Sequence, residues 1–401
     1  MKLLSHIVTA LLCALPLPAL AQEPDPLRVP STASEPRGVI PEPDVITRLV
    51  LFADRQLGKG DITNGFYLDY ANMIPGAGWG AIGPGYRHWY NKDSLFIDGS
   101  ASISVNSYKM AQARVELPTL LKSRVSLGLQ ARYQDFDEVD FFGAGPDSSP
   151  GLKTDYAIRS TQLSAFLTLR PLRWFSVDAQ AGWMNPDARF VQGATLRGFH
   201  DQREYVPIDV SMTVDTRDFP NHPTRGLVVR AIGSRYEDRT DGTFTFNRYQ
   251  GEAAGFAPIA GGRIVLAVHG WAVRSDVDAG HAVPFYFQPS LGGVNSLRSY
   301  TDYRFHDDNM SLATAEVRLA LMSHLDLAVF ADAGNVASRS RDLNLDKQSF
   351  GTGLRLHTRR DTFAMLDVAN GNEGWLVAFR LRDPLQLGRL SRKTTVVPFV
   401  P

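Results

Sequence analysis

Residues 206–218 read VPIDVSMTVDTRD, and the side chains along them alternate in kind. Val206, Ile208, Val210, Met212 and Val214 are apolar, while Asp209, Ser211, Thr213, Asp215 and Arg217 are polar or charged. Successive side chains of an extended chain point to opposite faces, so this stretch reads as a strand with one apolar and one polar face. The same pattern recurs upstream. In LFIDGSASISV, Leu95, Ile97, Ala101, Ile103 and Val105 alternate with Asp98, Ser100, Ser102 and Ser104. In VSLGLQARYQ, Val125, Leu127, Leu129, Ala131 and Tyr133 alternate with Ser126, Gly128, Gln130, Arg132 and Gln134.

A soluble sandwich would alternate too, so length, number and connections decide. The stretches run to roughly ten residues or more, the length a tilted membrane strand needs. Their polar faces carry charges as well as hydroxyls, as the lumen of a barrel allows. About sixteen such strands follow one another, an even number within the bacterial barrel range. They start near residues 63, 78, 94, 108, 123, 154, 174, 204, 225, 244, 262, 309, 324, 347, 361 and 373. Short connections (NKDS, PLR, FPNHPTRG, MSH, TRRD) follow even strands, and long ones (residues 136–153, 186–203, 276–308, 334–346) follow odd strands. That parity places periplasmic turns at one end and external loops at the other. The expected fold is all-β, a 16-stranded antiparallel transmembrane β-barrel with a short N-terminal helix.

The rest of the chain fits an exported barrel. Residues 1–21, MKLLSHIVTALLCALPLPALA, have a basic start, a short apolar run broken by Pro16 and Pro18, and small residues at Ala19 and Ala21. They read as a signal peptide cleaved after Ala21. Cys13 is the only cysteine, so the mature chain is expected to hold no disulfide and no thiol site. Lys and Arg balance Asp and Glu at 42 each, which argues against a nucleic-acid partner. No later segment is apolar for the 18 residues of a membrane helix. Residues 22–60 read as a Pro-rich linker followed by an amphipathic helix at about 44–57, capped by Asp44, with Val45, Leu49, Phe52 and Ala53 on one face. The barrel is expected over 61–382 and a basic C-terminal extension over 383–401.

Three stretches resemble the BamA/TamA-like outer-membrane superfamily, the bacterial surface antigen family. VDTRDFPNHPTRGLVV is similar to its hairpin at strands eight and nine, with Asp215, Arg217, Asp218, Pro220, Pro223 and Gly226. PSLGGVNSLRSY resembles its sixth external loop, with Gly292, Gly293, Leu297, Arg298, Ser299 and Tyr300. VFADAGNV resembles its strand-thirteen motif, with Phe330, Asp332 and Gly334. The resemblance implies that the sixth loop folds back into the lumen and that its arginine meets acidic residues on the inner wall. Strand parity supplies such residues. In SLATAEVRLAL, Thr314, Glu316 and Arg318 share the polar face; in LDLAVFADAG, Asp326 and Asp332 oppose Leu325, Leu327 and Val329. An arginine fork accepts carboxylates bidentately, so Arg298 is expected to pair with Asp332 first and Glu316 second. Arg197, in the similar wording ATLRGFH, lacks the paired glycines and reads as an ordinary loop residue. The chain departs from the family pattern in carrying Ser299 where Gly is usual, and in a leader too short for a POTRA domain. GWLVAFRLR, with Gly374, Trp375, Val377 and Phe379, resembles a C-terminal insertion signal, yet a tail follows it to Pro401.

There is no G-x-S-x-G elbow and no H-E-x-x-H, so no catalytic residue, metal ligand or cofactor is expected. His269 reads as lumen-lining, and the His306–Asp307–Asp308 run as a solvated loop. The resemblance implies a non-enzymatic role in outer-membrane protein assembly or polypeptide translocation. Its implied partners are the outer-membrane bilayer, unfolded client polypeptides and the barrel assembly machinery. The alternative is a stand-alone pore or structural barrel affecting permeability or lipid organisation.

Overall fold

The computed structural model describes residues 38–48, 50, 64–71, 81–91, 93–192, 199–358 and 360–381. Sixteen long strands follow in chain order: β1 Gly65–Ala71, β2 Ala81–Tyr90, β3 Leu95–Ser104, β4 Lys109–Thr119, β5 Val125–Phe141, β6 Thr154–Leu172, β7 Phe175–Met184 and β8 Tyr205–Asp215. The second half comprises β9 Gly226–Asp238, β10 Phe246–Ile259, β11 Ile264–Asp276, β12 Asn309–Ala320, β13 Leu325–Ala337, β14 Lys347–His357, β15 Thr362–Gly371 and β16 Gly374–Leu381. Each begins within three residues of its expected start. Neighbours in sequence pair antiparallel from β1 to β16. Two short strands, Asp187–Gln192 and His200–Gln202, extend the β7–β8 connection and bring the sheet to 18 strands.

The burial pattern is inverted relative to a soluble sandwich. In β5, Leu129 is 64% exposed while Ser126 is fully buried. In β8, Met212 is 54% exposed and Ser211 only 4%. Apolar residues cover the outside and polar ones line the inside, as they must when the outer solvent is hydrocarbon. Phe66, Tyr86, Tyr90, Trp174, Tyr249 and Trp375 add aromatic rings to that outer surface.

Two expectations need correction. The external loop set at 136–153 is shorter, because β5 runs on to Phe141, 17 residues in all. The extension of β5, which passes a register shift between Phe136 and Val139, brings Phe136, Val139 and Phe141 into a buried aromatic cluster with Tyr156 and Ile158 of β6. The inner face is also not polar throughout. Met310 and Leu312 share the inward parity of Thr314 and are buried in a second cluster with Leu291, Leu297, Tyr300 and Phe305. The partner of that wall is a folded loop rather than water, so apolar side chains are favoured there.

The loop is residues 277–308, between β11 and β12. Arg304 reaches Glu373, between β15 and β16, and Ser148, between β5 and β6. Tyr286 donates to Asp201, between β7 and β8, at 2.9 Å, and Arg248 of β10 donates to the Phe287 carbonyl. One loop touching strands so far apart in the ladder requires the sheet to curl around it.

Residues 44–48 are helical. Val45 is exposed rather than on a buried face. Leu49, Phe52 and Ala53 lie outside the described residues, as do residues 1–21 and 383–401, for which a signal peptide and a basic extension were expected. Just before the helix, Val39 and Ile40 donate backbone bonds to Ala320 and Leu321, and Glu42 accepts from the backbone and ring of His324. The chain ahead of the strands therefore sits against the β12–β13 turn.

Candidate functional site

The loop reverses at Gly292 and Gly293, whose φ values are +120° and +78°. A Cβ on Gly293 would strike the Asp302 carboxylate, and one on Gly292 the Thr301 carbonyl. Only glycine takes this backbone without strain. The reversal is closed by Gly292 N–H donating to Ser296 Oγ at 2.9 Å and Gly293 N–H donating to the Tyr300 carbonyl at 2.8 Å. A two-stranded pairing, Ser290–Leu291 with Phe305–His306, clamps its base.

This turn presents Arg298 to the wall formed by β12 and β13. Its Nε donates to Asp332 Oδ2 at 2.9 Å, its Nη2 to Asp332 Oδ1 at 2.8 Å and its Nη1 to Glu316 Oε2 at 2.9 Å. The Arg298 backbone N–H adds a 3.3 Å bond to Asp332, and Thr314 Oγ1 donates to the same carboxylate at 3.0 Å. The guanidinium carbon stands 3.3 Å from the Phe330 ring centre, a desolvated cation–π contact. Arg298, Glu316 and Asp332 are all buried. Burial pulls the guanidinium pKa down, but Asp332 and then Glu316 more than offset it, so it stands above its ordinary value.

The network continues beyond the residues singled out from sequence. Arg355 of β14 donates to Glu316 at 3.0 Å and to Asp367 of β15. Arg380 of β16 donates to Asp367 at 3.3 Å and to Asn295 of the loop at 2.8 Å. The loop turn is thereby tied to five consecutive strands, β12 to β16. Period two was the available signal: Arg355, Asp367 and Arg380 each alternate with leucine, valine or phenylalanine in GLRLH, MLDVA and AFRLR. Arg304 was missed too, because nothing near it in sequence identifies Glu373 or Ser148 as its partners.

Ser299 faces Gly371 of β15, where an added Cβ would run into the Ser299 side chain. The hydroxymethyl group thus occupies room left by a glycine on the wall. Tyr300 and Leu297 are buried in the cluster around the loop, and Gly334 lies against Leu291. Gly374 opens β16 at φ +108°, and Trp375, Val377 and Phe379 are exposed on its outer face. Arg197 lies outside the described residues. His269 is buried and 3.0 Å from Glu252. His306 is buried rather than solvated, and burial pushes it down to about 3. Burial likewise raises the Asp307 and Asp308 carboxyls, and Asp308 accepts from Gln288 at 3.0 Å. Among the described residues the one group placed to hold a metal is His222, Asp326 and His357, which lie too far apart in sequence to form a spacing motif.

The Omp85 superfamily domain matches residues 97–359. Among solved structures, BamA from Haemophilus ducreyi lacking POTRA domains 1–3 is similar with a TM-score of 0.61 at 14% identity, over 80% of this chain and 69% of that one. CdiB from Escherichia coli is similar with a TM-score of 0.53 at 15% identity, over 79% of this chain and 62% of that one. The chain thus spans less than two thirds of the CdiB chain. No curated protein matches. At these identities the structures speak for the fold, and the domain match, covering more than half the sequence, speaks for descent: the chain belongs to the Omp85 superfamily.

Proposed function

We propose that this chain is an outer-membrane barrel of the assembly or translocation type, acting on unfolded polypeptide without covalent chemistry. The observation that carries the reading is the seating of residues 277–308 inside the wall through the Arg298–Asp332–Glu316 cluster. A packed loop disfavours a wide axial channel and leaves the sheet margin as the route for a client. Gly65 and Gly374 stand at the start of β1 and β16, and glycine weakens strand pairing. Export through a signal peptide, and assistance from the barrel assembly machinery during insertion, belong to the same proposal.

The test is depletion of the protein followed by proteomics of isolated outer membranes. Loss of a defined set of barrels or secreted proteins is the expected result. An unchanged proteome with altered solute permeability would reject the reading in favour of a stand-alone pore.

A further inference from the structure

Three buried side chains converge at the turn end of the lumen, on the far side of the network from the loop. His222 comes from the β8–β9 turn, Asp326 from the start of β13 and His357 from the end of β14. Their potential ligand atoms all lie within 4.8 Å of one another. The turn that carries His222 is itself held in place. Thr362 N–H donates to the Asn221 carbonyl at 3.2 Å, and Arg318 Nη2 donates to the Pro223 carbonyl at 2.9 Å.

The hydrogen bonds define what His357 can do. Its Nδ1 is 3.0 Å from the Thr358 carbonyl, which only accepts, so Nδ1 carries the proton. Nε2 of the neutral ring is then a lone pair, yet it stands 3.1 Å from Asp326 Oδ1, also an acceptor. Two acceptors at that distance call for a cation between them. A proton would satisfy His357 but leaves His222 unexplained. His222 Nε2 faces the other oxygen of the same carboxylate at 3.9 Å, too far for a hydrogen bond, while its Nδ1 is engaged by Thr362 Oγ1 at 3.0 Å. Ligand atoms on a tetrahedral ion with bonds of about 2.0–2.1 Å sit about 3.3 Å apart. His357 Nε2 stands slightly inside that separation from Oδ1 at 3.1 Å, and His222 Nε2, 3.9 Å from Oδ2, has to move inward to reach the ion. Each imidazole thus has its outer nitrogen fixed by an oxygen and its inner nitrogen turned to one carboxylate, the support pattern of histidine ligands.

We propose that His222, Asp326 and His357 bind a borderline divalent ion of the zinc class, which ties the β8–β9 turn to the inner wall. The imidazole and carboxylate donors suit that class. The rings stack 4.0 Å apart at 10°, so seating the ion tilts one of them outward. Arg318, which also holds the Pro223 carbonyl of the same turn, is 3.8 Å from Glu316, which lowers its repulsion of the ion. The fourth position is left to water or an anion.

The test uses tag-free full-length protein in detergent micelles, stripped with chelator and re-equilibrated with Zn²⁺. One zinc per chain by elemental analysis is expected, with a rise in the unfolding temperature on zinc addition. Thr362→Val, which removes only the outer partner of His222, should weaken zinc by about ten- to a hundredfold. His222→Gln and Asp326→Asn should abolish both the binding and the temperature shift. Zinc content in the wild type no higher than in His222→Gln, or an unfolding temperature indifferent to zinc and chelator, would overturn the proposal and leave a proton-bridged His357–Asp326 pair.

Discussion

Replacing Arg298 by alanine tests the loop seat most directly. The change removes three charge-assisted side-chain bonds and the contact with Phe330. Asp332 keeps Thr314 and the residue 298 backbone N–H, and Glu316 keeps Arg355. Neither carboxylate is left bare, but Asp332 is only 1% exposed and loses the guanidinium paired with it. Removing one member of a buried ion pair costs about 3–5 kcal/mol, so the unfolding constant should rise by at least roughly a hundredfold. Arg298→Lys should recover about half of that loss, because an ammonium serves one carboxylate where the fork serves two. The double variant Arg298→Ala/Asp332→Ala should be less destabilised than the sum of its singles by about 2 kcal/mol, since it leaves no orphaned charge. Urea unfolding in lipid vesicles, followed by tryptophan fluorescence, measures the wild type, the two Arg298 variants, Asp332→Ala and the double variant. Stability within about 0.5 kcal/mol of wild type for Arg298→Ala, or an additive double variant, would mean that the cluster does not hold the loop.

Gly371→Ala should destabilise by about 1–3 kcal/mol by overpacking, and adding Ser299→Gly should restore part of it. Only part can return, because the new methyl also meets the Gln348 carbonyl; no restoration in thermal melts would disprove the Ser299–Gly371 fit. Gly293→Ala, forced to φ +78° against Asp302, should cost about 1–3 kcal/mol and expose the loop to limited proteolysis. Arg304→Ala should weaken the second anchor by about 1–3 kcal/mol, less than Arg298→Ala, because Glu373 is 28% exposed; equal losses in the same urea assay would contradict that ranking. Replacing residues 281–306 by a short linker should raise planar-bilayer conductance severalfold, and unchanged conductance would show that the loop does not occlude the lumen.

Strand number, strand starts and facing were legible because each rests on period two, which a pleated chain obeys residue by residue. Pairing across the lumen was legible only where parity and a resemblance agreed. Arg298 and Asp332 could be matched because both lie in recognisable stretches, whereas Arg304 and Glu373 are 69 residues apart in unmarked ones. The length of β5 escaped because the alternation breaks at the shift between Phe136 and Val139. Beyond it the chain packs against its own loop rather than lipid, so both faces become apolar or mixed. The His222 cluster was invisible for a related reason: its members come from a turn and two strands, and only the curled sheet brings them together.

The inner network also bears on the passage of a client under the proposed function. Leu291, Leu297, Tyr300 and Phe305 of the loop are buried together. Withdrawing four such side chains into water costs roughly 1.5–3 kcal/mol each, so about 6 kcal/mol at the least before any ion pair is broken. At about 1.4 kcal/mol per factor of ten, the withdrawn state is populated less than about once in ten thousand molecules. The charged groups contribute differently. A buried ion pair adds little net stability over an apolar one of the same shape, but it tolerates only one register, since a loop shifted by a residue would leave Asp332 without the Arg298 guanidinium and Glu316 with Arg355 of the wall alone. The apolar cluster therefore supplies the residence of the loop and the arginine network its register. On the proposed function, a client would then be admitted by movement of the sheet, where parting two strands costs backbone hydrogen bonds at one ladder and leaves the loop seated.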